Sequence, residues 1–482
     1  MHAVCLIIIA TFCLAGCAVG PDFEPPAPPQ TQSYTETGLP VKTAATNGPG
    51  GDAQYFVRGK DVSADWWHLF RSAPLDDLVK RGIKKNPTLS AAQASLRQAA
   101  ENLNVSTASL FPVIDAGSFA ERQRINGAFL GNPSLSPPPF TLYNASVNVS
   151  YPLDVFGGIR RGIEASEADV ESAAFEVEAT LLTLTANIVT AAMTDARLRA
   201  QIQTTEDVIA LQEKVLAITQ QRLQSGGASR LDVLAQTTQL VQTRATLAPL
   251  QANLAKTRHA LSVLIGELPS ESKLPAFRLA DMCLPLELPI SLPSTLVQQR
   301  PDVRASEARL HAASAQIGVE TANLLPKITL SGSYGGSSNK LKDLFDSSSV
   351  IWNLVGQALQ PIFHGGALVA KRDAAMAAFE KAYAQYRQTV LQAFQNVADA
   401  LRVLEFDAQQ LQVQTEAEGA AQKTFALTQT QYKAGAVSYV NLLEAEKQYH
   451  QARIGRIQAQ AARYTDTAAL FQALGGGWWN RK

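Results

Sequence analysis

The sequence predicts an α+β protein that is written twice: each half reads helix, strand, strand, long helix, turn, helix. Three observations predict it. The stretch NPTLSAAQASLRQAAENLNVSTASLFPVIDAGSF, Asn86 to Phe119, returns as RPDVRASEARLHAASAQIGVETANLLPKITLSGSYG, Arg300 to Gly335. Apolar heptads run without proline from Gly158 to Gln224 and again from Gly366 to Ala434. Between the helical stretches, apolar and polar residues alternate. A repeat this long implies two equivalent structural units and internal pseudo-symmetry.

The chain has 482 residues, 42 basic and 42 acidic, so its formal charge makes no electrostatic case for nucleic acid as a partner. The short cluster Lys80, Arg81, Lys84, Lys85 reads as a solvated helix face. Residues 1–16 read as a signal peptide, because the apolar run Ala3 to Ala15 is too short to span a membrane. Leu14, Ala15 and Gly16 before Cys17 resemble the lipobox of bacterial lipoproteins, which would make Cys17 the lipidated first residue. The other reading is a plain cleaved signal peptide with an incidental cysteine. Cys5 and Cys13 lie in the removed segment; with Cys17 lipidated, Cys283 is the one thiol left and packing alone must hold the fold.

The first repeat is expected over residues 75–269, with strands about 113–124 and 140–152 and helices about 158–224 and 231–265. The second is expected over 294–475, with strands about 327–335 and 350–361 and helices about 366–434 and 439–474. The turn LQSGGASRLDVLAQ pairs with YKAGAVSYVNLLEA, and ALSVLIG pairs with ALFQALG. Phe175, Ala179, Leu182, Ala186, Val189 and Met193 step by four and three, as do Val390, Phe394, Val397, Leu401 and Leu404. That period specifies helices packed side by side. The seam is narrow and Ala-rich, which suits a wall of helices wetted on both sides rather than a solid bundle. Each long helix would extend about 100 Å. The flanking helices, Pro87 to Phe111 and Leu231 to Ile265, are each about half as long, so two stacked end to end would match one long helix.

In FTLYNASVNVSYPL, Tyr143, Ala145, Val147, Val149 and Tyr151 face one way and Asn144, Ser146, Asn148 and Ser150 the other. Ile328, Leu330, Gly332 and Tyr334 likewise oppose Lys327, Thr329, Ser331 and Ser333. The strand from Val113 is the least regular. Such alternation marks a membrane barrel wall or a half-buried soluble sheet. Four strands cannot seal a membrane, because open edges would leave backbone groups unpaired in hydrocarbon. Other copies must close the sheet: two would give about eight strands, three about twelve and a pore.

CAVGPDFEPP, DWWHLFRSAPLDDLVKRGIKKNPTL, YPLDVFGGIRR, RPDVRASEARLHAASAQIG, LLPKITLSGSYG, YKAGAVSYVNLLEAEKQY and ALGGGWW, in this order, are similar to the TolC-like outer-membrane factors, specifically the NodT/OprM-type efflux lipoproteins. The resemblance implies a homotrimer with a twelve-stranded β-barrel, four strands per chain, continued by a long periplasmic α-helical barrel with an equatorial mixed domain. Residues 17–74 would then be the lipidated extension and equatorial segment, the Pro-rich stretch 270–293 the equatorial linker, and 476–482 a tail. It further implies a passive exit duct in the outer membrane of a Gram-negative bacterium, anchored at Cys17. A periplasmic adaptor and an inner-membrane transporter of RND type would be its partners, with outer-membrane lipid around it. Type I protein secretion and a non-pore, lipid-anchored scaffold are the alternatives. No cofactor, metal or enzymatic activity is implied.

The two helix-to-helix turns should form the periplasmic tip, with Gly226, Gly227, Ser229, Gly435 and Ser438 as turn and adaptor-contact residues. Threefold repetition of a charge around a narrow opening focuses the field. Asp232, Asn441 and Glu444 are therefore the candidate gate ring, with Arg222, Arg230 and Tyr432 as candidates for the bonds that hold it shut. Ser229 to Asp232 also reads as a capping box and Ser438 to Asn441 resembles one, while Glu444 also reads as part of a solvated face. Gly226 and Gly435 suit left-handed helix ends. Ser270-Glu271-Ser272-Lys273 matches a serine–lysine pattern, but lies in the Pro-rich linker without companion motifs. The six histidines show no zinc spacing.

Overall fold

The computed structural model describes residues 18–126, 128, 131, 134 and 138–481; residues 1–16 and Cys17 lie outside the described residues. The helices are α1 (Ala73–Lys85), α2 (Pro87–Ala108), α3 (Gly158–Gln224), α4 (Arg230–Leu264), α5 (Pro293–Gln299), α6 (Pro301–Ala322), α7 (Ala367–Lys433) and α8 (Tyr439–Ala473). The strands are β1 (Tyr55–Arg58), β2 (Val113–Gln123), β3 (Phe140–Leu153), β4 (Glu287–Ile290), β5 (Lys327–Ser338) and β6 (Val350–Leu359). Equivalent helices of the two halves match in length: 22 residues for α2 and α6, 67 for α3 and α7, 35 for α4 and α8. Helix α2 stops at Ala108 rather than Phe111 because Pro112 disfavours helical backbone at the residue before it.

The chain forms two compact units, each assembled from both halves. The strand unit takes the chain up to Pro26, Leu96–Ala173 and Ser306–Tyr386; the helical unit takes Ala27–Ser95, Ala174–Ala305 and Arg387–Lys482. The division therefore cuts across the repeats: neither half closes a core alone.

In the strand unit, β2-β3-β5-β6 form one antiparallel sheet in that order. The register aligns Ala116, Val147, Tyr334 and Trp352 in one row, and Val149, Gly332 and Leu354 in another on the same face. Asp115, Asn148, Ser333 and Asn353 form a row on the opposite face. Trp352 and Leu354 are 73% and 78% exposed, so around them the apolar face has no cover among the described residues. Both β2 and β6 are edge strands with a free side.

The helical unit stacks short helices end to end, and the two halves use the same joint. The Asn86 side chain donates to the carbonyl of Leu264, the last residue of α4, at 2.8 Å. Its oxygen accepts the Leu89 amide at 3.1 Å, starting α2. In the other half, Arg300 donates to the carbonyl of Ala473, the last residue of α8, at 2.8 Å, just before Pro301 opens α6. Gly266 and Gly475, at φ 70° and 93°, turn the chain at these joints, where a Cβ would meet the carbonyl of Lys85 or Gln299 at 2.3 and 2.7 Å. The repeated glycine at the end of ALSVLIG and ALFQALG is thus a requirement of the joint.

The N-terminal segment and the linker contain a two-stranded parallel sheet, β1 with β4, which composition did not suggest. Arg463 on α8 is 0% exposed and donates to the carbonyls of Gly50 (2.6 Å) and Asp52 (3.0 Å), to Gln54 Oε1 (3.0 Å) and to Thr43 Oγ1 (3.3 Å). Gln54 donates in turn to Pro285 O and Thr467. Trp66 and Phe70 pack on the same helix, with Trp66 5.5 Å from Phe471. By length and composition α3 would pass for a membrane span, but Ile188, Val189, Ala192 and Met193 are fully buried in this unit.

Candidate functional site

Both long helices end in the same way. Gly226, at φ 76°, takes the left-handed position; its amide donates to Leu223 O, and that of Gly227 donates to Arg222 O at 2.7 Å. Gly435, at φ 74°, repeats this, with bonds from Gly435 to Tyr432 O and from Ala436 to Gln431 O. These paired bonds satisfy the last carbonyls and send the chain back within a few residues.

The returning helices are capped unequally. Ser229 Oγ accepts the Asp232 amide at 3.1 Å, and the Asp232 carboxylate accepts the Ser229 amide and hydroxyl, both at 2.8 Å, closing a capping box. Ser438 Oγ accepts the Asn441 amide at 3.4 Å. The Asp232 carboxylate is thus engaged in its own helix start. Glu444 is exposed and accepts from Gln448 Nε2 at 3.2 Å. Arg230 is exposed as well.

The structure brings Arg222 and Tyr432 together. The Arg222 guanidinium lies 5.1 Å from the centroid of the Tyr432 ring, which packs at 5.3 Å against Tyr439. This ties the end of α3 to the end of α7 and the start of α8. Behind it lies a buried polar layer that the sequence reading missed. The Tyr439 hydroxyl donates to Gln236 Oε1, and Gln236 Nε2 donates to Gln212 O at 3.1 Å. Glu446, 4% exposed, faces Gln212 from α8. Burial pushes the Glu446 carboxyl up to about 7, with the neighbouring Gln212 side chain pulling the other way. Burial also raises the Tyr439 hydroxyl and lowers the His450 imidazole, the latter with help from Arg453. The only signal for this layer in the sequence is polar residues at heptad positions, which on a wetted helix wall is not distinctive.

In the strand unit, residues 18–23 lie against the start of α3. Val19 donates its amide to Phe156 O at 3.0 Å, and Arg161 reaches Val19 O (3.2 Å), Asp22 (2.6 Å) and Glu164 (2.7 Å). Phe23 stacks on His311 at 4.4 Å. The residues following Cys17 are therefore docked beside the end of β3. Ser272 of the serine–lysine pattern bonds Ser262 at 2.5 Å and the Lys273 carbonyl accepts from Arg81, a packing role. Among the described residues, no group of three or more His, Cys, Asp or Glu could hold a metal ion.

A sheet whose apolar face is largely uncovered among the described residues and whose two edge strands are unpaired there, in a chain with two long helices that turn at matched ends, is the architecture of a membrane channel that assembles from several copies. The outer membrane efflux protein family model matches residues 78–267 and 292–476, and the chain belongs to that family. Among its relatives is the pyoverdine export outer membrane protein OpmQ of Pseudomonas aeruginosa, 30% identical over 431 residues, covering 88% of this chain and 90% of that protein. The cation efflux system protein CusC of Escherichia coli O6:H1 is 27% identical over 473 residues, covering 97% and 98%. Two solved structures share the fold. The outer-membrane channel OprN has TM-score 0.85 and 27% identity, covering 96% of this chain and all of that one. The open-state MtrE channel of Neisseria gonorrhoeae has TM-score 0.82 and 25% identity, covering 96% and 99%. The fold is that of the trimeric outer-membrane channels, and the chain is the outer-membrane component of an efflux system.

Proposed function

We propose that three copies close the sheet into a barrel and form a passive exit duct for small toxic compounds. A periplasmic adaptor and an inner-membrane transporter of RND type would deliver them. The observation that carries this reading is the sheet itself: four strands, an apolar face largely uncovered among the described residues, and two unpaired edges. The spread of cargoes in the relatives' names, pyoverdine for OpmQ and cations for CusC, fits a conduit rather than a cargo-specific pocket.

The tip is the proposed gate. Asp232, Asn441 and Glu444, repeated threefold, would line the constriction, with Glu444 the side chain freest to face a permeant ion. Arg222 on Tyr432 would hold the closed state, and Arg230 would add positive charge beside the turn. Gly226, Gly227, Ser229, Gly435 and Ser438 would present the turns to the adaptor. Lipidation at Cys17 is supported by the docking of residues 18–23 beside the end of β3, where an anchor would reach the adjoining leaflet. The test has two arms. The purified protein should run as a heat-modifiable trimer and conduct in planar bilayers, and Cys17→Ser should abolish incorporation of labelled palmitate. A monomer without conductance would overturn the duct, and unchanged labelling would overturn the anchor.

A further inference from the structure

The strands β2, β3, β5 and β6 meet the helices at one end, through Pro112, Leu153, Lys327 and Leu359. The connection from β5 to β6 therefore lies at the opposite end, which in the proposed duct faces the outside. It does not stand away from the sheet but folds onto it. Ser349 Oγ donates to Asp343 O at 2.7 Å, and the Ser349 amide donates to Asp346 O at 2.9 Å. Leu344 is 5% exposed, and its carbonyl lies where a Cβ on Gly336 would meet it at 2.1 Å. Gly336 pairs with Ala145 and Val350, so this contact is on the apolar face.

Between the connection and the sheet is a cavity of about 560 Å³. Most of its strand side chains, Ala116, Ser118, Ala145, Val147, Tyr334 and Val350, belong to the apolar rows, with Ser146 of the polar row beside them; Leu344 and Phe345 form the facing wall. Asp115, Asn148 and Ser333, which would wall a cavity on the polar face, do not line it. The cavity therefore opens on the lipid side, and Tyr334 in its wall is paired with the exposed Trp352. Phe345 and Leu341 project from the same connection, an unfavourable surface in water and an ordinary one in a bilayer. Lys340 and Lys342 sit on that connection too; Lys342 is 79% exposed and only loosely paired with Asp343 at 3.9 Å.

We propose that this groove seats one acyl chain of lipopolysaccharide, with Lys340 and Lys342 receiving its phosphates. The inference rests on the duct reading, because the position of the groove makes its neighbour the outer leaflet. It is tested by native mass spectrometry of the trimer, delipidated and then titrated with lipopolysaccharide or with phosphatidylglycerol. Wild type should bind lipopolysaccharide in preference to phosphatidylglycerol. Lys340→Ala with Lys342→Ala should weaken binding about thirtyfold, at roughly 1 kcal/mol per lysine near an anionic lipid surface. Ala145→Trp should fill the groove and remove binding. If it fails to assemble, the lysine pair decides alone. Equal binding by wild type and the lysine variant, equal binding of the two lipids, or no binding by wild type would each overturn the inference. Planar-bilayer conductance of the same wild-type sample separates the two readings: conduction without lipopolysaccharide binding sinks this inference and leaves the duct standing.

Discussion

Arg463→Met should release the N-terminal segment from α8 while leaving the rest of the fold in place. Arg463 is fully buried and supplies hydrogen bonds to four acceptors, on Thr43, Gly50, Asp52 and Gln54. Burial acts against its charge, which the nearby Asp407 favours. Methionine fills much of the volume but donates nothing. Each stranded acceptor costs about 1–3 kcal/mol, and partial relaxation toward water keeps the total below the simple sum. Breaking a buried charged network by removing one partner costs about 3–5 kcal/mol. One decade in an equilibrium is about 1.4 kcal/mol, so the segment's local opening constant should rise by roughly two to three and a half decades. Hydrogen exchange reads this at the Thr43 amide, bonded to Gln54 O, and the Phe56 amide, bonded to Val41 O. Protection should fall at both and persist at the joint amide of Leu89. Unchanged exchange at Thr43 and Phe56 would show that the segment is held by its apolar contacts and that the Arg463 network contributes little.

Three further outcomes are expected. Glu446 has its folded-state value raised, to about 7, so between its unfolded value and 7 the unfolded chain has already released a proton that the folded chain keeps. Its contribution is present at acid pH and lost as pH rises toward and through 7, roughly 3 kcal/mol at most. Protection factors in the α3–α8 packing, each referenced to the intrinsic exchange rate at its own pH, should fall at pH 8.5 relative to pH 5, and Glu446→Gln should remove that fall. Glu444→Gln should raise anion passage relative to cations, read as a shift of reversal potential under a salt gradient; no shift removes Glu444 from the constriction. Arg222→Ala should lose a cation–π contact worth about 0.5–1 kcal/mol at an exposed site, raising the open fraction of single channels a few-fold, whereas an unchanged open fraction would mean the pair does not hold the tip.

The strand pair Tyr143–Tyr151 with Ile328–Tyr334 was legible because a period of two is local, and the observed register lays those residues in common rows. β2 was harder to read, since as an edge strand its apolar face is the small set Ile114, Ala116, Ser118 and Ala120. The turns around Gly226 and Gly435 were legible too, because only a few residue types tolerate a left-handed helix end. β1 and β4 were not: each has four residues, and they pair across more than two hundred positions of chain. Pro249 lies inside α4, where it removes one rung of that helix's ladder without ending it.

By itself, then, the amino-acid order determined what depends on near neighbours: the doubling, the lengths of the helices, the faces of the strands and the chemistry of the turns. Tertiary structure alone decided that each half contributes to both compact units, that Asn86 and Arg300 join one helix to the next, and that Glu446 is buried near the tip. The reason is physical: periodicity reports which way a side chain points, whereas burial and hydrogen-bond partners depend on which distant segment arrives opposite, and no local pattern records that.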